Sequence, residues 1–156
     1  MMTGSIIGLF ATTIGGVPKP RVSSIEVLTS GVKNEVIRDK KHHGGPDKAV
    51  CLISQETILN LQSLGHPING GSTGENILLD VPQDSLKPGI KIQFDEVVIE
   101  ITMAATPCKT IQESFLNGDF TYLSNKRYEG QTRWYAKVLT EGIIHSNENA
   151  RISSSV

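Results

Sequence analysis

The chain has 156 residues and a formal net charge of −1, with 38% hydrophobic and 5% aromatic residues. That length suits one domain, residues 1–156, with a core of its own, and a near-zero, well-mixed charge gives no field to steer the chain to nucleic acid or anionic lipid. The largest basic knot, Lys40-Lys41, reads as a solvated loop or a local anion site, far from the clustered stripe of a nucleic-acid binder.

In chain order, Ile6–Thr12 reads as a first strand. Its apolar run is too short to span a bilayer and no basic region precedes it, so no membrane segment is expected. Prolines at 18 and 20 make residues 15–20 a loop, and Val22–Leu28 is an imperfectly alternating strand ended by Gly31. Residues 32–48 are polar, basic and glycine-containing, and predict a long surface loop. Ala49–Ile53 reads as a short buried strand. A helix follows over Ser54–Leu64, capped by Ser54, charged favourably at Glu56, striped with Ile58, Leu61 and Leu64, and stopped by Gly65 and Pro67.

After the loop 69–76 comes a short strand, Ile77–Leu79. Alternation over Ile90–Phe94 and Val97–Met103, with Asp95-Glu96 between, predicts a hairpin whose second arm leads to Cys108. Ile111, Phe115 and Leu116 suggest a short helix ended near Gly118. Trp134, Tyr135, Val138 and Leu139 have helical spacing up to Gly142, Ile143-Ile144 reads as a last strand, and the tail 151–156 should fray. Many short strands and few helices make the fold mainly β: a closed or half-closed, mostly antiparallel β-barrel, since closure removes unprotected edges.

Cys51 and Cys108 form no CxxC pair and no dense framework, which places the chain in a reduced, cytoplasmic compartment. Cys108 follows a strand within Thr106-Pro107-Cys108-Lys109, where a partly exposed thiol beside Lys109 has its thiolate favoured; the plain alternative is a small buried hydrophobe. Cys51, inside an apolar run, should be inert. Two further loops, His42-His43-Gly44-Gly45-Pro46-Asp47-Lys48 and Ser72-Thr73-Gly74-Glu75-Asn76, carry glycines that let the backbone approach a ligand, and all three loops should converge on one pocket. The histidines with Glu75 and Cys108 can be read as mixed zinc ligands, although adjacent histidines rarely both point inwards and no second cysteine supports the set. A hydrolase pairing Cys108 with His42 or His43 as base is also open, without a local motif in its favour.

Together, His42-His43-Gly44-Gly45-Pro46-Asp47-Lys48-Ala49-Val50, Gly65-His66-Pro67-Ile68, Gly71-Ser72-Thr73-Gly74-Glu75-Asn76, Pro107-Cys108-Lys109 and Arg133-Trp134-Tyr135-Ala136-Lys137-Val138-Leu139 followed by Glu141-Gly142 resemble a stand-alone molybdenum cofactor sulfurase C-terminal (MOSC) domain. The resemblance implies a β-barrel of that type with Cys108 as its reactive residue and molybdenum ligand. It also implies a molybdenum cofactor (molybdopterin) lined by His43, Gly44, Gly45, Asp47, Lys48, Thr73, Gly74, Glu75, Asn76, Lys109 and Arg133, with Lys48, Lys109 or Arg133 meeting its phosphate. Such a protein would be an oxidoreductase module reducing small N-hydroxylated nitrogen compounds. No flavin, haem or iron–sulfur motif is visible, so electrons would come from a separate donor protein. The alternatives are a sulfur carrier holding a persulfide on Cys108, served by a cysteine desulfurase-type partner, and a ligand-binding module with neither chemistry. Where the family often has Gly-Asp, this chain has Asn34-Glu35 and Asn147-Glu148; asparagine tolerates positive φ, so both turns should survive, with an altered partner at Glu35.

Overall fold

The computed structural model describes residues 1–37 and 43–153. Its strands are β1 (Met2–Phe10), β2 (Arg21–Val22), β3 (Ser24–Leu28), β4 (Gly31–Val32), β5 (Val50–Ser54), β6 (Ile77–Leu79), β7 (Lys91–Gln93), β8 (Val98–Ala105), β9 (Arg133–Thr140), β10 (Gly142–His145) and β11 (Asn149–Ser153). The single α-helix among the described residues, α1 (Gln55–Ser63), follows β5 directly.

Seven strands close into a barrel in the order β11, β7, β8, β9, β5, β6, β1, with β1 pairing back onto β11. Every neighbouring pair is antiparallel except β5 and β6. That exception follows from the connection, because α1 and the loop after it carry the chain back across the barrel before β6 begins. β2 extends the sheet beyond β1, while β10, β3 and β4 form a separate three-stranded sheet. The barrel is filled mainly by Ile, Val and Leu, among them Leu9, Leu52, Ile77, Leu79, Ile92, Ile99 and Ile101, with Phe94 and Trp134. A second apolar cluster, around Phe10, Ile53, Leu61, Ile68, Ile111, Phe115 and Leu123, lies where α1 and the segment 109–123 cover the outside of the barrel.

The predicted helix is present. Ser54 caps it, its hydroxyl accepting the Glu56 N–H at 3.1 Å and donating to the Val81 carbonyl at 2.6 Å. Its buried stripe is Thr57, Ile58 and Leu61, whereas Leu64 is 61% exposed and lies past the helix at its C-cap. The predicted hairpin is β7 and β8, joined around Asp95-Glu96, with Phe94 N–H on the Val97 carbonyl.

Four expectations are corrected. Residues 133–140 are strand β9, not helix; Trp134, Ala136 and Val138 face the barrel core while Arg133 and Tyr135 are buried on the other face. Burial on both faces erases the alternation that marks a strand, and what remains imitates helical spacing. Ile143-Ile144 lie in β10, which is not the last strand, and Arg151–Ser153 are not frayed: they belong to β11, held between β1 and β7. The segment after Cys108 is a chain of short 3-10 turns at Lys109–Ser114, Leu116–Gly118 and Phe120–Leu123 in place of an α-helical turn.

Candidate functional site

A cavity of about 350 Å³ opens where the loops after β1 and β4, the loop before β6, the turn before β5, the turn after β8 and the start of β9 meet. Two glycines permit the approach of these loops. Gly74 has φ +87°, and a Cβ there would stand 3.3 Å from Val17 Cγ1; Gly44 has φ +83°, and a Cβ would meet Ile37 Cδ1 at 2.9 Å. At such φ values an L side chain is strained, so both positions suit glycine. His43 and Tyr135 face each other across one wall, sharing a hydrogen bond between Nδ1 and Oη, and Lys48 Nζ lies 5.5 Å from the Tyr135 ring centroid.

The electrostatics of the opposite wall are set by burial. Lys19 and Glu35 form an ion pair at 2.9 Å with side chains 14% and 5% exposed, so their charges cancel locally. Arg133, 4% exposed, donates from one Nη to the Thr73 carbonyl at 2.7 Å. Its Nε and second Nη are buried and have no hydrogen-bond partner. Glu75 is fully buried behind this wall, with the Thr73 hydroxyl near its carboxyl oxygens at 3.3 and 3.5 Å, and burial pushes its carboxyl above the ordinary range. Cys51 reaches the cavity from β5; burial pushes its thiol up to about 11, against a lesser lowering by Arg133.

Cys108 is half-buried at the start of the turn 109–114, and its Sγ lies 2.8 Å from Thr110 Oγ1. Thr110 and Ile111 line the cavity, which puts the thiol at its edge. The turn itself is anchored at a distance. Ser114 Oγ bonds Ser72 Oγ at 2.9 Å, and the buried His66 accepts the Leu116 N–H on Nδ1 at 3.1 Å while its ring packs on Tyr122 and Phe115.

Of the residues expected from the sequence, His43, Gly44, Lys48, Thr73, Gly74, Asn76 and Arg133 line this one cavity, with Cys108 adjoining it. Gly45, Asp47, Glu75 and Lys109 do not. Gly45 precedes, and Asp47 belongs to, the solvent-facing 3-10 turn at 46–48, where the Asp47 carbonyl accepts from Thr102 Oγ1 at 2.6 Å; Lys109 is exposed and Glu75 is turned inward. His42, Lys40 and Lys41 lie outside the described residues. Among those described, no three His, Cys, Asp or Glu side chains are grouped to hold a metal, so the mixed zinc set finds no support there. Sequence reasoning passed over Lys19, Thr110 and Tyr135. The glycine pair before Lys19 resembles those of the other loops, and Thr110 stands two residues after the thiol, so signals for both were present.

Residues 39–151 match the MOSC domain family. The chain belongs to that family. It is 25% identical over 142 residues to the uncharacterised protein YflK of Bacillus subtilis, covering 90% of this chain and 63% of YflK, and 23% identical over 146 residues to YiiM of Escherichia coli, covering 90% and 64%. This MOSC chain therefore spans less than two thirds of the length of those relatives. Among solved structures it resembles YuaD of B. subtilis, with a TM-score of 0.75 at 16% identity over 98% of this chain and 97% of that one. It also resembles YiiM of E. coli, with a TM-score of 0.74 at 18% identity over 100% and 72%. At these identities the likeness is one of fold.

The MOSC fold explains both departures from the Gly-Asp pattern. Asn34 has φ +66°, so it takes the left-handed position, and Glu35 reaches into the cavity wall. Glu148 instead closes its own turn, Oε2 accepting the His145 N–H at 2.7 Å and Oε1 the Asp95 N–H at 2.9 Å.

No α-helix is long and apolar enough to cross a membrane among the described residues.

Proposed function

We propose that this MOSC domain binds a molybdenum cofactor in the cavity and serves as an oxidoreductase module for small N-hydroxylated nitrogen compounds, with Cys108 as the metal ligand and electrons from a separate donor protein. The observation that carries this reading is the half-buried Cys108 thiol at the edge of a cavity walled by two positive-φ glycines and by Lys48 and Arg133.

The residues fit such a group. A thiol is a soft donor suited to a metal already held by sulfur, and coordination lowers its pKa. Gly44 and Gly74 let backbone come close to a flat ligand, and Arg133 keeps donors that no protein group uses. Cys108 would hold the metal, Arg133 and Lys48 the anionic part, and His43, Thr73 and Asn76 the remaining polar edge. When bound, the cofactor supplies two-electron redox chemistry. The chain's own work is positional: Thr110 fixes the Cys108 Sγ, and the Ser114–Ser72 and Leu116–His66 bonds hold the turn that carries it.

The test is metal analysis of wild type and Cys108→Ser expressed in a cofactor-producing host, with turnover of an N-hydroxylated substrate driven by a chemical reductant. Serine is close to cysteine in size but a harder donor, so molybdenum and activity should vanish while the melting temperature stays put. Wild-type molybdenum content and turnover in the variant would remove Cys108 as ligand. Cyanide-labile sulfur on Cys108 in metal-free protein would point instead to a persulfide carrier.

A further inference from the structure

We infer that Tyr135 is the acid that protonates the departing oxygen when an N-hydroxylated compound is reduced in this cavity, with His43 as the positioning residue that returns its proton. The inference rests on the reductase reading proposed above. In that reaction an N–OH group, two electrons and two protons give N–H and water; the N–O bond breaks, and the electrons come from the separate donor protein. One proton must reach the oxygen as the bond breaks, so that water leaves in place of hydroxide, and the other goes to nitrogen from solvent. A phenol suits the first task, because its ordinary pKa of about 10 lies far below the roughly 15.7 of water.

The cavity walls hold few sources for that proton. A guanidinium such as Arg133 does not release one, Lys19 is held in its ion pair with Glu35 at 2.9 Å, and burial pushes the Cys51 thiol up to about 11. Tyr135 differs in what surrounds it. Its ring is 6% exposed and its Oη shares a hydrogen bond with His43 Nδ1. Imidazole is the side chain that exchanges protons near neutral pH, and His43 is half-buried, closer to water than Tyr135, so a proton taken up there replaces the one the phenol gives. Lys48 Nζ, 5.5 Å from the ring centroid, attracts the negative charge that the ring carries in between. The turn that brings Lys48 there is tied to β8 and β9: the Thr102 hydroxyl donates to the Asp47 carbonyl at 2.6 Å and lies 3.2 Å from the Tyr135 carbonyl. Among the described residues, the other titratable and charged groups on the elements packed around the pair are Cys51, opposite Tyr135 on β5, Arg133 two positions earlier on β9, the exposed Asp47, and Lys137, which pairs with Glu100 at 3.4 Å.

Two measurements test the relay. In metal-free protein from a host that makes no cofactor, with tyrosine labelled with carbon-13 at Cζ, the Tyr135 resonance is followed by NMR through the titration of His43. It should move with the same midpoint as the His43 ring protons. A Tyr135 signal that stays still would overturn the relay with no bearing on molybdenum. In cofactor-loaded protein driven by a chemical reductant, Tyr135→Phe should lower kcat at least about 100-fold while KM and molybdenum content stay as in wild type. His43→Ala should lose turnover that added imidazole partly restores. Structural damage would instead raise KM or lower metal content, and imidazole would not repair it. Full kcat in Tyr135→Phe, or a loss in His43→Ala that imidazole leaves unchanged, overturns the proposal and leaves the reductase reading standing; wild type without molybdenum and without turnover removes that reading and the relay with it. Because the Tyr135 resonance is read in wild type, a variant that folds poorly does not spare the proposal.

Discussion

Glu35 and Asn76 are locked together across forty-one residues of sequence: both carboxylate oxygens accept from Asn76 Nδ2, at 3.0 and 3.1 Å. Asn76 passes the constraint on. Its Oδ1 accepts the Cys51 N–H at 3.1 Å, its Nδ2 also reaches the Phe10 carbonyl at 3.0 Å, and its backbone bonds Cys51 and Phe10 at 2.7 and 2.8 Å. One side chain thus rivets the ends of β1, β5 and β6 at the cavity wall, and the carboxylate behind it also neutralises Lys19.

Glu35→Ala should therefore cost about 3 kcal/mol, the lower end of the range for removing one partner of a buried ion pair, because it strands Lys19 and frees the Asn76 amide. Adding Lys19→Met should recover part of the loss, since an apolar pair leaves no orphaned charge. Urea unfolding of the two single variants and the double variant measures this. Additive losses would mean the two side chains act independently.

The two thiols should behave oppositely. Cys51 lines the cavity, yet burial pushes its pKa up to about 11, so near neutral pH it is almost wholly the unreactive thiol. Cys108 is half-buried at the cavity edge, and iodoacetamide at pH 8 should modify it alone. Peptide mapping by mass spectrometry reads the outcome, and label on Cys51 with Cys108 spared would reverse the assignment of the working thiol.

The barrel was legible where one face is wet and the other dry. β7 and β8 alternate, and α1 announces itself through Ser54, Ile58, Leu61 and Gly65. β9 was not legible, because Arg133, Trp134, Tyr135 and Ala136 are all buried and the period of two disappears. β11 was hidden for a related reason: Ala150 and Ile152 are its only buried positions, too few to mark a strand beside a serine tail. In the site, glycine-bearing loops announced themselves by composition. For Lys19 the only signal was the glycine pair before it; what makes it part of the wall is Glu35, sixteen residues away, and such pairing exists only in three dimensions. Glu75 was misplaced because a carboxylate in a glycine loop reads as a ligand group, whereas Thr73 and the surrounding burial turn it inward.

That inward turn has a measurable sign. In the unfolded chain the Glu75 carboxyl ionises near its ordinary value of 4.5, while the folded protein keeps its proton to higher pH. Between those two values the unfolded state has released a proton that the folded state retains, so Glu75 draws stability down as pH rises through the window. Glu75→Gln keeps the shape and the neutral amide. It should be more stable than wild type at neutral pH, and the difference should shrink as pH falls towards 4.5. Thermal unfolding of both proteins across this range gives the comparison; a constant offset between the two curves would mean that the carboxyl titrates alike in both states.

Gly74 offers a way to separate backbone strain from the shape of the cavity. Its φ of +87° makes alanine unfavourable by about 1–2 kcal/mol, and the added Cβ would press on Val17 Cγ1 at 3.3 Å, narrowing the cavity mouth. Gly130 has nearly the same φ, +84°, but its nearest neighbour is the flexible Gln83 side chain at 3.6 Å and it is not on the cavity wall. Gly130→Ala should share the conformational penalty and spare the cavity. Both variants should therefore lose similar stability in urea, while only Gly74→Ala should lose molybdenum content when expressed in a cofactor-producing host. Equal metal loss in the two would assign the effect to stability alone, and unchanged metal in Gly74→Ala would show that the ligand does not approach this loop.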